Sequence, residues 1–152
     1  MPRADGGASL AIGWRHGHWL AEARGTWLAS ETVDLPHDVG ADLGLLAAGG
    51  RACLVQPAGP SDVGLCGGVR LDVLQGKAVG VVAAASSAIT WITAEVGAHG
   101  ALWVARRLAV RVDLEVGAPS TRPAFVIVGA GHVHRPAGIV GSASIGLEAG
   151  IF

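Results

Sequence analysis

The sequence predicts an α+β, β-rich fold: glycine-turn-linked strands in a mainly antiparallel sheet, with one or two helices. Three observations point there. Short runs of Val, Ile, Leu and Ala recur between glycine turns from Val69 onward. Leu108 to Val116 alternates strictly. Leu108, Val110, Val112, Leu114 and Val116 fall on one face and Ala109, Arg111, Asp113 and Glu115 on the other, as in a sheet with one wet side. The clearest helical pattern is Asp38 to Ala48.

In chain order, Ser9 to Leu20 predicts a strand that Gly13 and Gly17 weaken or bulge. Asp38 then caps a helix whose apolar side is Val39, Leu43, Leu45 and Leu46, and Gly49-Gly50 stops it. Arg51 to Val55 reads as a short strand and Gln56 to Asp62 as a turn carrying Pro57, Gly59 and Pro60. Cys66 opens the next element. Strands follow at Val69 to Leu74, Ala78 to Ala83, Ile89 to Val96, Leu102 to Val116 and Phe125 to Val128. Gly97-Ala98-His99-Gly100 would join two of them as a hairpin, bringing Trp91 near Trp103. A helix through Ser87 to Leu108 is the alternative, disfavoured by its two internal glycines and its β-branched residues.

The 152 residues make a single domain, 1–152, long enough to bury a real core. With 51% hydrophobic residues but 5% aromatic, small side chains must fill that core. Eleven basic residues against twelve acidic ones leave no broad basic face, which argues against general nucleic-acid binding. Cys53 and Cys66 are too far apart for a Cys-x-x-Cys pair and too few for a disulfide framework, so a reduced, cytoplasmic protein is expected. The start, Met1 to Gly7, lacks the pattern of a secretory signal, and the longest uncharged run, Ala78 to Ala94, falls short of a helical membrane span. No membrane association is expected.

Three constellations carry candidate chemistry. Phe125 to Val128 runs into Gly129-Ala130-Gly131, an apolar strand entering a glycine turn of the kind that lets a backbone approach a pyrophosphate. His134 stands where a full Gly-x-Gly-x-x-Gly would place glycine, and Glu148 lies near the offset of a ribose-binding acid. Second, Cys66-Gly67-Gly68 could offer a thiolate to a metal or a sulfur-containing cofactor; a small buried apolar cysteine is the plainer explanation. Third, His16 and His18, with Glu22 beyond them, and His132 and His134 place pairs of imidazoles two residues apart, on one face of a strand, where they could bind zinc or another divalent metal. His16-x-His18-x-x-x-Glu22 also looks like part of the first metal motif of cupin barrels. No hydrolytic triad, paired-carboxylate site or Walker loop is present, and Ser86-Ser87 fits packing better than nucleophilic catalysis. The chain does not read as an enzyme.

Arg51-Ala52-Cys53-Leu54-Val55, with Gly64 to Leu74 after it, resembles the end of the N-terminal domain of the xanthine dehydrogenase accessory protein family. Arg122 to Val133 resembles the opening of that family's Rossmann domain. The resemblance implies a chaperone that binds molybdenum cofactor and delivers it to a molybdenum hydroxylase. Cys66, Gly67, Gly68, Gly129, Gly131 and His132 would then touch the cofactor. The matching strings cover about a quarter of the chain, and one βαβ unit takes roughly 30 residues or more. The competing expectation is a non-enzymatic β-rich structural or assembly module that pairs with copies of itself into an oligomer or particle.

Overall fold

Two-residue alternation runs through nearly every element and sets the architecture. The computed structural model describes residues 6–35, 39–79, 86–121, 125–127, 131–134 and 137–150. Seven strands form one antiparallel sheet: β1 (Gly7–His16), β2 (Trp19–Leu35), β3 (Val39–Ala58), β4 (Ser61–Val79), β5 (Ser86–Ala105), β6 (Leu108–Pro119) and β9 (Val140–Ala149). They pair in that order, with β1 and β9 as the two edges. A separate two-stranded ribbon, β7 (Phe125–Ile127) and β8 (Gly131–His134), lies between β6 and β9 in sequence. The large sheet is curled into a half-barrel.

Three tight turns lie at one end of the sheet: Gly17-His18, Gly59-Pro60 and Arg106-Arg107. Gly17 and Gly59 have φ of 57° and 66°, the left-handed region that only glycine adopts without strain. The connections at the other end are longer between β4 and β5 and between β6 and β9.

The expected α+β class is corrected to all-β, since no helix occurs among the described residues. The predicted helix over Asp38 to Ala48 is the first half of β3; Asp38 itself lies outside the described residues. Its apolar spacing suits a helix, but Gly40 and Gly44 each weaken one by about 1 kcal/mol. Two neighbours offer ladders instead: β2, from Leu35 opposite Val39 and with one register shift between Leu28 and Glu31, and β4, from Val79 opposite Gly40. Tertiary pairing overrides local propensity here.

The expected turn at Gly97 to Gly100 is also corrected. Those residues sit inside β5, with Gly97 opposite Cys66 and Gly100 opposite Val63 on β4. The chain reverses instead at Arg106-Arg107, which divides the strand expected over Leu102 to Val116. Trp91 and Trp103 consequently lie along one strand, and residues 87–105 are extended rather than helical. The strand expected over Ser9 to Leu20 is divided in the same way by Gly17-His18. Of Ala78 to Ala83, residues 80–83 lie outside the described residues.

Alternation over Leu108 to Val116 holds, but its polarity is the reverse of that expected. The charged face is the enclosed one: Asp113 is 6% exposed, whereas Leu114 beside it is 54% exposed. A small apolar cluster of Leu20, Cys53, Val55 and Cys66 lies on the concave side. Most of the larger apolar side chains face outward.

Candidate functional site

The concave face holds a network of arginines and carboxylates, each placed by strand parity. On β2 the inward residues are Leu20, Glu22 and Arg24; on β3, Arg51, Cys53 and Val55; on β6, Ala109, Arg111, Asp113 and Glu115. The curl brings β2 and β3 across the interior to β6. Arg51 is the hub, with a side chain 1% exposed. Its Nε donates to Glu22 Oε2 at 2.7 Å, Nη2 to Asp113 Oδ1 at 2.7 Å and Nη1 to Glu115 Oε1 at 2.8 Å. Arg111 donates to both oxygens of Glu22, at 2.5 and 2.8 Å, and through Nε to Asp113 at 2.6 Å. Arg24 bridges Glu95 and Glu115.

A second tier continues toward the far end. Arg70 donates to Asp72 at 2.7 Å and to Glu95 at 3.2 Å, and the Thr93 hydroxyl donates to Asp72 at 2.5 Å. At the turn end, Asp62 accepts from Arg15 at 2.5 Å and from Trp103 Nε1 at 2.8 Å. His99 Nδ1 lies 2.9 Å from Asp113 Oδ1. These are charge-assisted contacts, and burial strengthens each while making an unpaired member costly.

The network sets the acidity of its members. Burial alone would raise the Glu22 carboxyl, but the bonds from Arg111 and Arg51 outweigh it and hold Glu22 below the usual range. Asp113, likewise buried, is held far below that range by His99, Arg111 and Arg51. The Arg15 bond holds Asp62 down, with Trp103 assisting against burial. Burial opposes the charge on Arg111, but Glu22 and Asp113 prevail and raise its pKa.

Inward glycines make room for these long side chains. A Cβ on Gly68, opposite Arg51, would stand 2.5 Å from the Gly50 carbonyl oxygen and 2.7 Å from Arg51 Cβ. The convex face is the chemical opposite. Leu10, Ile12 and Trp14 on β1, Leu65 and Val69 on β4, Ile92 and Val96 on β5, and Ile145 and Leu147 on β9 all point outward and are exposed. No charged side chain interrupts the outward rows from Trp19 to Trp27, Val63 to Val73 or Leu108 to Val116.

No family model, curated protein or solved structure matches the chain. The site therefore rests on its own geometry.

The residues singled out from sequence fall in different places. Cys66 faces the interior on β4 and is disulfide-bonded to Cys53, directly opposite on β3, so neither offers a thiol. That pairing corrects the expectation of a free, reduced cysteine. Gly67 points outward and Gly68 inward beside it. Gly129 lies outside the described residues, while Gly131, His132 and His134 lie on β8, whose partner β7 is antiparallel to it. His16 is exposed and stacks on Trp14 with ring centroids 5.5 Å apart; His18 occupies the first turn, its Nδ1 3.2 Å from the Val55 carbonyl oxygen. Among the described residues no group of three or more His, Cys, Asp or Glu could hold a metal ion.

Sequence reasoning missed the network itself. Its signal was present in Arg111, Asp113 and Glu115, and again in Glu22 and Arg24. Charges of both signs alternate there with Leu, Val, Ala and Trp over lengths that contain no other polar position.

Proposed function

We propose that this sheet is the wall of a small lipid-embedded β-barrel, a membrane anchor or scaffold whose interior is filled by ion pairs and conducts no solute. The observation that carries this is the inverted polarity: arginines and carboxylates buried inside, continuous apolar rows outside. A water-soluble domain rarely leaves a contiguous apolar surface larger than a few hundred Å2 uncovered. In a bilayer the same surface is the solvated one, and between the two edge strands the backbone polar groups are satisfied from strand to strand.

The dimensions agree. Trp19 and Trp27 bracket the outward row Ala21, Ala23 and Gly25 on β2. Eight steps at about 3.4 Å span about 27 Å along the strand. Tilted by about 40°, that covers about 21 Å of membrane height, close to the apolar band of outer-membrane barrels, about 25 Å, with aromatics at both borders. No helix among the described residues is long and apolar enough to cross a membrane, which has no bearing on strands. The Cys53–Cys66 disulfide suits an oxidising compartment such as a periplasm or cell surface rather than the cytoplasm.

Inside, the network's arginines and carboxylates are bonded to one another, so the proposal assigns the interior no catalytic role. The test is partition. The purified chain should require detergent to stay monodisperse, co-float with lipid vesicles after alkaline washing, and leave planar bilayers without steady conductance. A chain that forms a defined oligomer in plain buffer and ignores vesicles would overturn the proposal. The apolar faces would then be covered by copies of the chain, as in an assembly module.

A further inference from the structure

Strand direction exposes an incomplete closure. The sheet is antiparallel throughout and has seven strands, so its two edges, β1 and β9, run the same way, from the long-connection end to the tight-turn end. One strand of opposite direction placed between them would pair antiparallel with both. Among the described residues no strand takes that place, and all ten residues of β1 are exposed. Outside the seven strands, the described elements are β7 and β8, which pair with each other in a separate ribbon.

The curl of the half-barrel turns the two edges toward each other. Arg111 on β6 reaches Glu22 on β2, so the curl is tight enough to bring those strands within side-chain reach across the interior. Arg15 on β1 is within electrostatic reach of Glu148 on β9. Apart from Arg15 and Glu148 near the tight-turn end, the inward residues on the two edges are small: Ser9, Ala11 and Gly13 on β1, and Ser142, Ser144 and Gly146 on β9.

Two buried polar atoms lack a hydrogen-bond partner among the described residues: Arg24 Nε, a donor on β2 whose other nitrogens bind Glu95 and Glu115, and Glu148 Oε2, an acceptor on β9 that Arg111 Nη1 approaches only to 3.9 Å. Arg24 stands opposite Ala11 of β1, and Glu148 lies on β9 itself. In native structures nearly all buried polar atoms are satisfied, so such atoms in a sheet with open edges indicate a missing neighbour. A second copy of the chain could cover both edges only by opening the curl to about twice as many strands. That would pull Arg111 away from Glu22.

We infer that the gap between β1 and β9 receives a single strand from a partner polypeptide, running antiparallel to both edges. Its outward side chains are apolar. Its inward side chains include a donor for Glu148 near the tight-turn end and an acceptor for Arg24 farther along. The backbone amides and carbonyls of both edges supply the pairing, as in β-strand addition. The inference rests on strand direction and curl, and holds whether the convex face meets lipid or protein.

The test uses a synthetic peptide of about ten residues, the length of a spanning strand. Valine occupies the outward positions and serine the inward ones, except for a lysine near the N-terminus and a glutamate about four residues later, the spacing from Arg15 to Ala11 along β1. With the full chain in detergent micelles, or in buffer if it proves soluble, hydrogen exchange of β1 and β9 should slow together by about tenfold or more. One peptide should bind per chain. A peptide with leucine in place of the glutamate and lysine, and one of reversed sequence, should protect far less. Protection of one edge only, or equal protection by all three peptides, would overturn the inference. So would a disulfide formed within one chain by Ile12→Cys with Ile145→Cys, which reports direct β1–β9 closure. A dimer cross-linked through Ile12→Cys alone would assign the edge to a second copy and also overturn it. Vesicle flotation is scored separately, so failure of the membrane proposal and failure of this one are distinguishable.

Discussion

Replacing Arg51 by methionine removes the hub of the interior while keeping its length. Three charge-assisted bonds at about 1.5–3 kcal/mol each would total about 5–9 kcal/mol if nothing compensated. Compensation is visible: Glu22 and Asp113 keep Arg111, and Glu115 keeps Arg24. The expected loss is therefore the about 3–5 kcal/mol typical of removing one member of a buried pair. Denaturant unfolding at neutral pH, followed by tryptophan fluorescence, measures it. The loss must also depend on pH. Glu22 and Asp113 are held below their ordinary range in the folded state, so their contribution is present above about pH 4 and is lost as pH falls through the folded values. Removing Arg51 moves those folded values up, so the gap between variant and wild type narrows as pH drops below about 4. A loss under about 1 kcal/mol, or one equal at pH 7 and pH 3, would refute the assignment of Arg51 as an electrostatic hub.

Three further outcomes are expected. Val96→Arg, at the middle of the outward row of β5, should destabilise the bilayer-inserted protein by about 2–4 kcal/mol and have little effect if that face meets water; unfolding from vesicles distinguishes the two. Gly68→Ala puts a methyl group against the Gly50 carbonyl and the Arg51 side chain, and should lower stability by about 1–3 kcal/mol in the same denaturant assay. Replacing Cys53 and Cys66 together by serine should lower stability by up to about 3 kcal/mol, from the entropy of a loop of about fifteen residues. Thiol titration of the denatured wild type should find no free sulfhydryl before reduction.

Strand content was legible because period-2 alternation is a local signal: Leu108 to Val116 declares its two faces without any knowledge of neighbours. Which face is enclosed was not legible, because the reading assumed an aqueous exterior. Alternation has the same form whichever side is buried. The segment Asp38 to Ala48 misled because a capping aspartate and leucines at helical spacing are local, whereas the ladders from β2 and β4 that claim it come from elsewhere in the chain. Cys53 and Cys66 are separated by enough residues to hide their pairing. The turn at Gly59-Pro60, which was recognised, sets them directly opposite each other once the strands on either side are extended far enough. Arg24 and Glu115 could not be paired from sequence, because their meeting depends on the curl.

That curl has a consequence for the order of folding. Every strand pair of the large sheet except β6–β9 joins sequence neighbours, so hairpins can form and add one at a time. The ion pairs that cross the interior are different: 89 residues separate Arg111 from Glu22 and 91 separate Arg24 from Glu115. Neither of these contacts can form until β6 has been added, whereas Arg51 can meet Glu22 and Arg70 can meet Glu95 between neighbouring strands of a flat ribbon. The pairs that cross the interior thus act as a latch that closes late, fixing the curvature of a sheet assembled from local steps.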